Sequence, residues 1–101
     1  MAVTFTLDMP GMTREQLDGM VQQLGAGPGK VPDGQIAHIE AITDDGARVI
    51  DVWESVEAYE RFMEERLGPI FAANGMPPFD MPQMLEVHRV FVAEVGPAAP
   101  A

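Results

Sequence analysis

Apolar and polar positions alternate along residues 3–7, with Val3, Phe5 and Leu7 on one side and Thr4 and Thr6 on the other. A period of two marks a half-buried strand. Pro10-Gly11 turns the chain, and the period then changes. Leu17, Met20, Val21 and Leu24 recur at helical steps until Gly25 stops the pattern. Thr13 and Gln16 have the spacing of a capping box, and Met12 and Leu17 are placed to staple the helix entry. Residues 25–34 hold four glycines and two prolines, which predicts a loop. Within it, GAGPGK has neither the spacing nor the following Ser or Thr of a phosphate-binding loop.

Runs 35–43 and 47–53 flank Asp45-Gly46, a dipeptide suited to a two-residue hairpin turn. With that turn His38 lies opposite Trp53, Glu40 opposite Asp51 and Ile42 opposite Val49. The apolar set Ile39, Ala41, Ile50 and Val52 then forms the face for the helices, and the mixed face with His38 and Trp53 is left in need of cover. Ser55 is a candidate cap for a second helix, whose stripe is Val56, Tyr59, Phe62, Met63 and Leu67. Gly68-Pro69 is expected to break it, with one more helical turn over residues 70–74. Residues 76–82 carry three prolines and should run extended. Residues 84–95 alternate as a last strand, and residues 96–101 form a loose tail.

The order β-α-β-β-α-β predicts one α+β domain over residues 1–95. It is a ferredoxin-like sandwich with four antiparallel strands and two helices on one face. A bare sheet face with two open edges needs a cover, and a second copy of the chain is the simplest.

Composition narrows the partners. Sixteen acidic and six basic residues give a formal charge of −10, which repels a phosphate backbone, so neither nucleic acid nor an anionic membrane is expected. No apolar run approaches the roughly 20 residues of a membrane span. There is no cysteine, and the first ten residues lack the pattern of a secretion signal; a cytoplasmic location is the expectation.

His38 and His88 are the two histidines and the natural candidates for a general base near neutral pH. The plainer alternative is a hydrogen-bonded residue at the sheet surface. Trp53 offers a face for stacking on an aromatic ligand, or else packs the core. Tyr59 can hydrogen-bond a phenolic ligand, although its helical stripe favours core packing. Asp51 and Glu40, if paired, would form a proton-transfer group, and Arg89 can balance a carboxylate or orient an anionic ligand. His38, His88, Glu40 and Asp51 lack the compact spacing of a metal site, and no redox-cofactor motif is visible, so no metal or cofactor is expected.

Asp51-Val52-Trp53-Glu54-Ser55, followed by Glu57-Ala58 and Phe62, resembles the strand–Trp–Glu–Ser–helix signature of the dimeric α/β-barrel superfamily. Within it the chain is most similar to small antibiotic-biosynthesis-monooxygenase-type proteins. The resemblance implies a homodimer in which two sheets form a barrel. It also implies a pocket for a small apolar or aromatic ligand, lined in related enzymes by the Trp at the position of Trp53. Members include cofactor-independent monooxygenases of aromatic polyketides, haem-degrading enzymes and muconolactone-type isomerases. The haem branch uses a His in the helix after that Trp, and no His lies between Trp53 and His88. Two function classes follow. One is a cofactor-free enzyme, a monooxygenase or a cyclase or isomerase, in which His38 or His88 deprotonates the substrate. The other is a non-catalytic dimer that binds a ligand or serves as a structural module.

Overall fold

The computed structural model describes residues 1–27, 29–76 and 82–93. Four strands, β1 (Val3–Pro10), β2 (Gln35–Thr43), β3 (Gly46–Trp53) and β4 (Gln83–Glu86), form one antiparallel sheet in the order β2-β3-β1-β4. Helix α1 (Arg14–Leu24) joins β1 to β2. Helix α2 (Val56–Phe62), a π-helical turn (Met63–Leu67) and helix α3 (Gly68–Ala73) follow β3. This is the expected ferredoxin-like α+β arrangement. No helix among the described residues is long and apolar enough to cross a membrane.

Both helix starts form as their sequences dictate. Thr13 Oγ1 accepts from the Gln16 backbone N–H, and Gln16 Oε1 accepts from the Thr13 N–H, at 3.1 and 2.9 Å. Gly25 ends α1 at φ 67°, a left-handed conformation that glycine reaches without penalty. Ser55 Oγ accepts from the Ala58 N–H at 3.1 Å, capping α2.

The hairpin departs from expectation. Thr43 pairs with Gly46, so Asp44 and Asp45 form the turn. The register moves by two residues: His38 lies opposite Asp51, Glu40 opposite Val49 and Ile42 opposite Ala47. A bulge between Gln35 and Ala37 then brings Gln35 opposite Trp53. The reason lies in β1. Gly46 pairs with Pro10, and a Cβ on Gly46 would stand 2.3 Å from the Met9 carbonyl oxygen. The glycine permits a close strand crossing here and is not the turn residue.

The faces of the sheet are also reversed. A two-residue shift keeps His38, Glu40, Asp51 and Trp53 together, but their face is the one beneath the helices. β1 decides this. Val3, Phe5, Leu7 and Met9 pair with Trp53, Asp51, Val49 and Ala47, which gathers the largest rings on one side. Ile50 and Val52 instead share their side with Thr6, Thr4 and the exposed Asp8–Arg48 ion pair. Val3, Phe5, Trp53, Ala58 and Phe62 make one core cluster, and Met9, Met12, Leu17 and Ala47 a second. Burying a side chain such as Phe5 is worth on the order of 2 kcal/mol. Ile39 and Leu85, on the opposite side, remain 52% and 57% exposed.

Gly68-Pro69 does not end the helix. The Gly68 N–H donates to the Met63 carbonyl, a bond five residues long, and the widened turn admits Pro69 at the start of α3, where its missing N–H costs little. The last strand is shorter than expected. β4 runs antiparallel to β1 from Gln83 opposite Thr6 to Glu86 opposite Val3, and one further bond joins the Val87 N–H to the Ala2 carbonyl. Residues 87–93 follow without regular structure. The tail expected at residues 96–101 and most of the proline-rich run at 76–82 lie outside the described residues.

Candidate functional site

A cavity of about 300 Å³ opens between the helices and the inner sheet face. Phe5, Leu7, Met9 and Val49 line it from the sheet, and Leu17, Met20 and Leu24 from α1. Tyr59 and Phe62 of α2 close another side, joined by Met63, Leu67 and Phe71. This lining follows from the amphipathic stripes of α1 and α2, which turn their apolar residues toward the sheet. The volume lies at the small end of the range for ligand sites, roughly 300–1,000 Å³.

One corner of the cavity is polar. Gln35, His38, Glu40 and Asp51 line it, all from β2 and β3. His38 Nδ1 lies 2.5 Å from Asp51 Oδ1, and His38 Nε2 lies 3.0 Å from Glu40 Oε2. An unprotonated ring nitrogen facing a carboxylate oxygen would oppose two lone pairs, so both nitrogens carry hydrogen and the ring is an imidazolium. The Asp51 bond, then the Glu40 bond, raise the His38 pKa to about 9; burial opposes this, and the charges of the two carboxylates add to it. Asp51 is the inner anchor. Its other oxygen, Oδ2, accepts a longer contact of 3.4 Å from the Trp53 indole N–H. Asp51 is the buried charged residue of the core, stabilised because each carboxylate oxygen faces a donor.

Trp53 is fully buried and lies outside the cavity lining, packed against Tyr59 and Phe62 at ring-centroid distances of 5.9 and 5.1 Å. Tyr59 stacks on Phe5 at 3.9 Å and lines the cavity. Its hydroxyl has no hydrogen-bond partner among the described residues. Burial, and then the Asp51 charge, push its pKa up, so at neutral pH it remains a donor.

The structure therefore brings four of the sequence candidates together: His38, Asp51 and Tyr59 at the cavity, with Trp53 behind them. His88 and Arg89 stand exposed on the chain after β4, away from the cavity. Glu40, weighed in the sequence as a partner of Asp51 and within a possible metal-ligand set, is a direct partner of His38. The signal for it was present, since residues two apart on a strand share a face. Gln35 carried no such signal, because the bulge that places it opposite Trp53 leaves no mark in the sequence.

The four-stranded antiparallel sheet with helices on one face defines the ferredoxin-like α+β fold class. The same fold is found in a protein of Chloroflexus aurantiacus J-10-fl, whose crystal structure bears the provisional name antibiotic biosynthesis monooxygenase. The two align with a TM-score of 0.50 at 16% identity, over 96% of this chain and 97% of that one. No protein-family model and no curated protein matches the sequence.

Proposed function

We propose that this chain is a cofactor-independent enzyme acting on a small aromatic, polyketide-like molecule held between the helices and the sheet. The observation that carries this reading is the cavity itself, an apolar chamber with a single polar corner. An aromatic ring system would lie against Phe5, Tyr59 and the aliphatic side chains of α1, and its oxygen substituent would face Tyr59 and His38. The name of the structural neighbour favours an oxygenase among the reactions open to such a site.

In this reading His38 works as a cation rather than as a free base. Removing a proton from an activated C–H or O–H leaves an anion on the ring system. The imidazolium, kept in place by Asp51, and the Tyr59 hydroxyl stabilise that charge. For an activated methylene, the anion and O₂ then give a ring carbonyl and water. One oxygen atom enters each product, and the substrate supplies all the electrons. A cyclisation or isomerisation would use the same anion.

A second copy of the chain is proposed to cover the outer sheet face. Exposed Ile39 and Leu85, beside Ile50 and Val52, support this. The residues that call for cover are thus the apolar set, and not the His38 and Trp53 face.

The test is titration with anthrone, a tricyclic ketone with an acidic ring methylene, followed by Trp53 fluorescence and by O₂ uptake. Saturable quenching with protein-dependent O₂ uptake is expected. Quenching without uptake makes the protein a binding module, and absence of quenching removes the reading altogether.

A further inference from the structure

The polar corner has an asymmetry that assigns the proton. Asp51 has both carboxylate oxygens engaged, one by His38 and one by Trp53. His38 has both ring nitrogens against carboxylates and no lone pair to offer. Glu40 differs from both. One of its oxygens meets His38, and the other has no partner among the described residues. Both side chains line the cavity, but that of Glu40 is about one-quarter exposed, twice as much as that of Asp51.

We infer that Glu40 is the catalytic base of this site, taking a proton from the bound molecule onto its free oxygen Oε1 while His38 stays protonated beside it. The inference rests on the proposed enzymatic reading and names the residue that begins its chemistry. In the step, a C–H or O–H bond of the ligand breaks and an O–H bond forms on Glu40. The bonding electron pair stays on the ligand as an enolate or phenolate. Before the step the triad carries one net negative charge and the ligand none; afterwards the triad is neutral and the ligand bears that charge. In water a carboxylate is a weak base toward such a proton. Here the adjacent imidazolium attracts the anion as it forms, and the Tyr59 hydroxyl can donate to its oxygen. The raised pKa of His38 agrees with this division of labour, since the ring keeps its proton through neutral pH.

The substrate class follows. A ligand that is already anionic, such as a carboxylate, would meet two carboxylates and one cation. A neutral ring system with an acidic methylene or hydroxyl meets a base and a counter-charge instead.

The step can be read apart from any oxidation. Anthrone is incubated with the protein in D₂O under argon, and deuterium entry at its ring methylene is followed by proton NMR, with the buffer rate subtracted. Binding is read in parallel by quenching of Trp53. The expected result is that Glu40→Gln binds anthrone within about threefold of the wild type yet loses exchange by roughly 100-fold or more, the usual loss for a general base. Glu40→Asp, which keeps the carboxylate, should retain part of the exchange. Circular dichroism confirms that both variants fold.

If Glu40→Gln exchanges at the wild-type rate, the assignment is overturned while the proposed function stands. Exchange that climbs with pH toward about 9, survives Glu40→Gln and is lost in His38→Gln transfers the base to His38. Failure of the wild type to bind anthrone overturns the underlying reading, and this inference with it. If it binds anthrone without accelerating exchange, no base acts in the cavity, and the inference fails while ligand binding stands.

Discussion

His38 and Asp51 sit directly opposite one another on β2 and β3, and His38 Nδ1 and Asp51 Oδ1 meet at 2.5 Å on the face beneath the helices. That pairing fixes the charge of the ring, and the charge makes stability depend on pH. The folded pKa of His38 is about 9, above the unfolded value near 6.5. Folding therefore binds the His38 proton more tightly, and the stabilisation is complete below the unfolded pKa. It is lost as pH rises through about 9. The ring is one-third exposed, so solvent reduces the effect to on the order of 1 kcal/mol. Proton NMR should show the His38 ring titrating near 9, with the denaturation midpoint falling over the same interval. A ring titrating near 6.5 would mean that the carboxylate contacts do not persist in solution.

The close crossing of β1 and β3 gives a second prediction. A methyl group on Gly46 would run into the Met9 carbonyl, which is backbone and cannot swing away. Gly46→Ala should cost about 2 kcal/mol in a denaturant titration, in the range of overpacking penalties. A loss within about 0.5 kcal/mol would show that the Met9 backbone gives way to the added methyl group.

Ser55→Ala removes the side-chain acceptor for the Ala58 N–H. The expected loss is about 1 kcal/mol, read from the denaturation midpoint at constant slope. An unchanged midpoint would show that another group caps α2.

The outer sheet face carries the prediction about assembly. Light scattering at micromolar concentration should give twice the chain mass of 11.0 kDa. Ile39→Lys places a charge among Ile50 and its neighbours and should return the protein to a monomer without unfolding it. A wild-type monomer would remove the proposal of a covering copy.

Local signals in the sequence carried most of the fold. The Thr13 and Ser55 caps, the Gly25 stop and the two helical stripes each depend on residues within one or two turns, and each appears where its pattern lies. Relations between distant segments were not legible. Asp45-Gly46 has the composition of a turn, but Gly46 answers to β1, some 35 residues earlier, whose backbone passes too close for a side chain. The same strand decides which sheet face goes inward, because Phe5 and Met9 outweigh the modest apolar set on the other side. Two-residue slips preserve facing, so the grouping of His38, Glu40, Asp51 and Trp53 survived a wrong register. The order within the group did not: Trp53 lies behind Asp51, and His38 meets carboxylates on both sides. His38 and Asp51 were legible as residue types, whereas the imidazolium that they form with Glu40 is a property of the three-dimensional pairing.

The central claim is that the chamber between helices and sheet holds an aromatic ring. The most direct measurement is a set of nuclear Overhauser contacts between bound anthrone and methyl-labelled protein. Contacts from the ring protons to the methyl groups of Leu17, Leu24 and Val49, which line the cavity, are the predicted result. Contacts confined to Ile39, Ile50 and Val52 on the outer sheet face would contradict it.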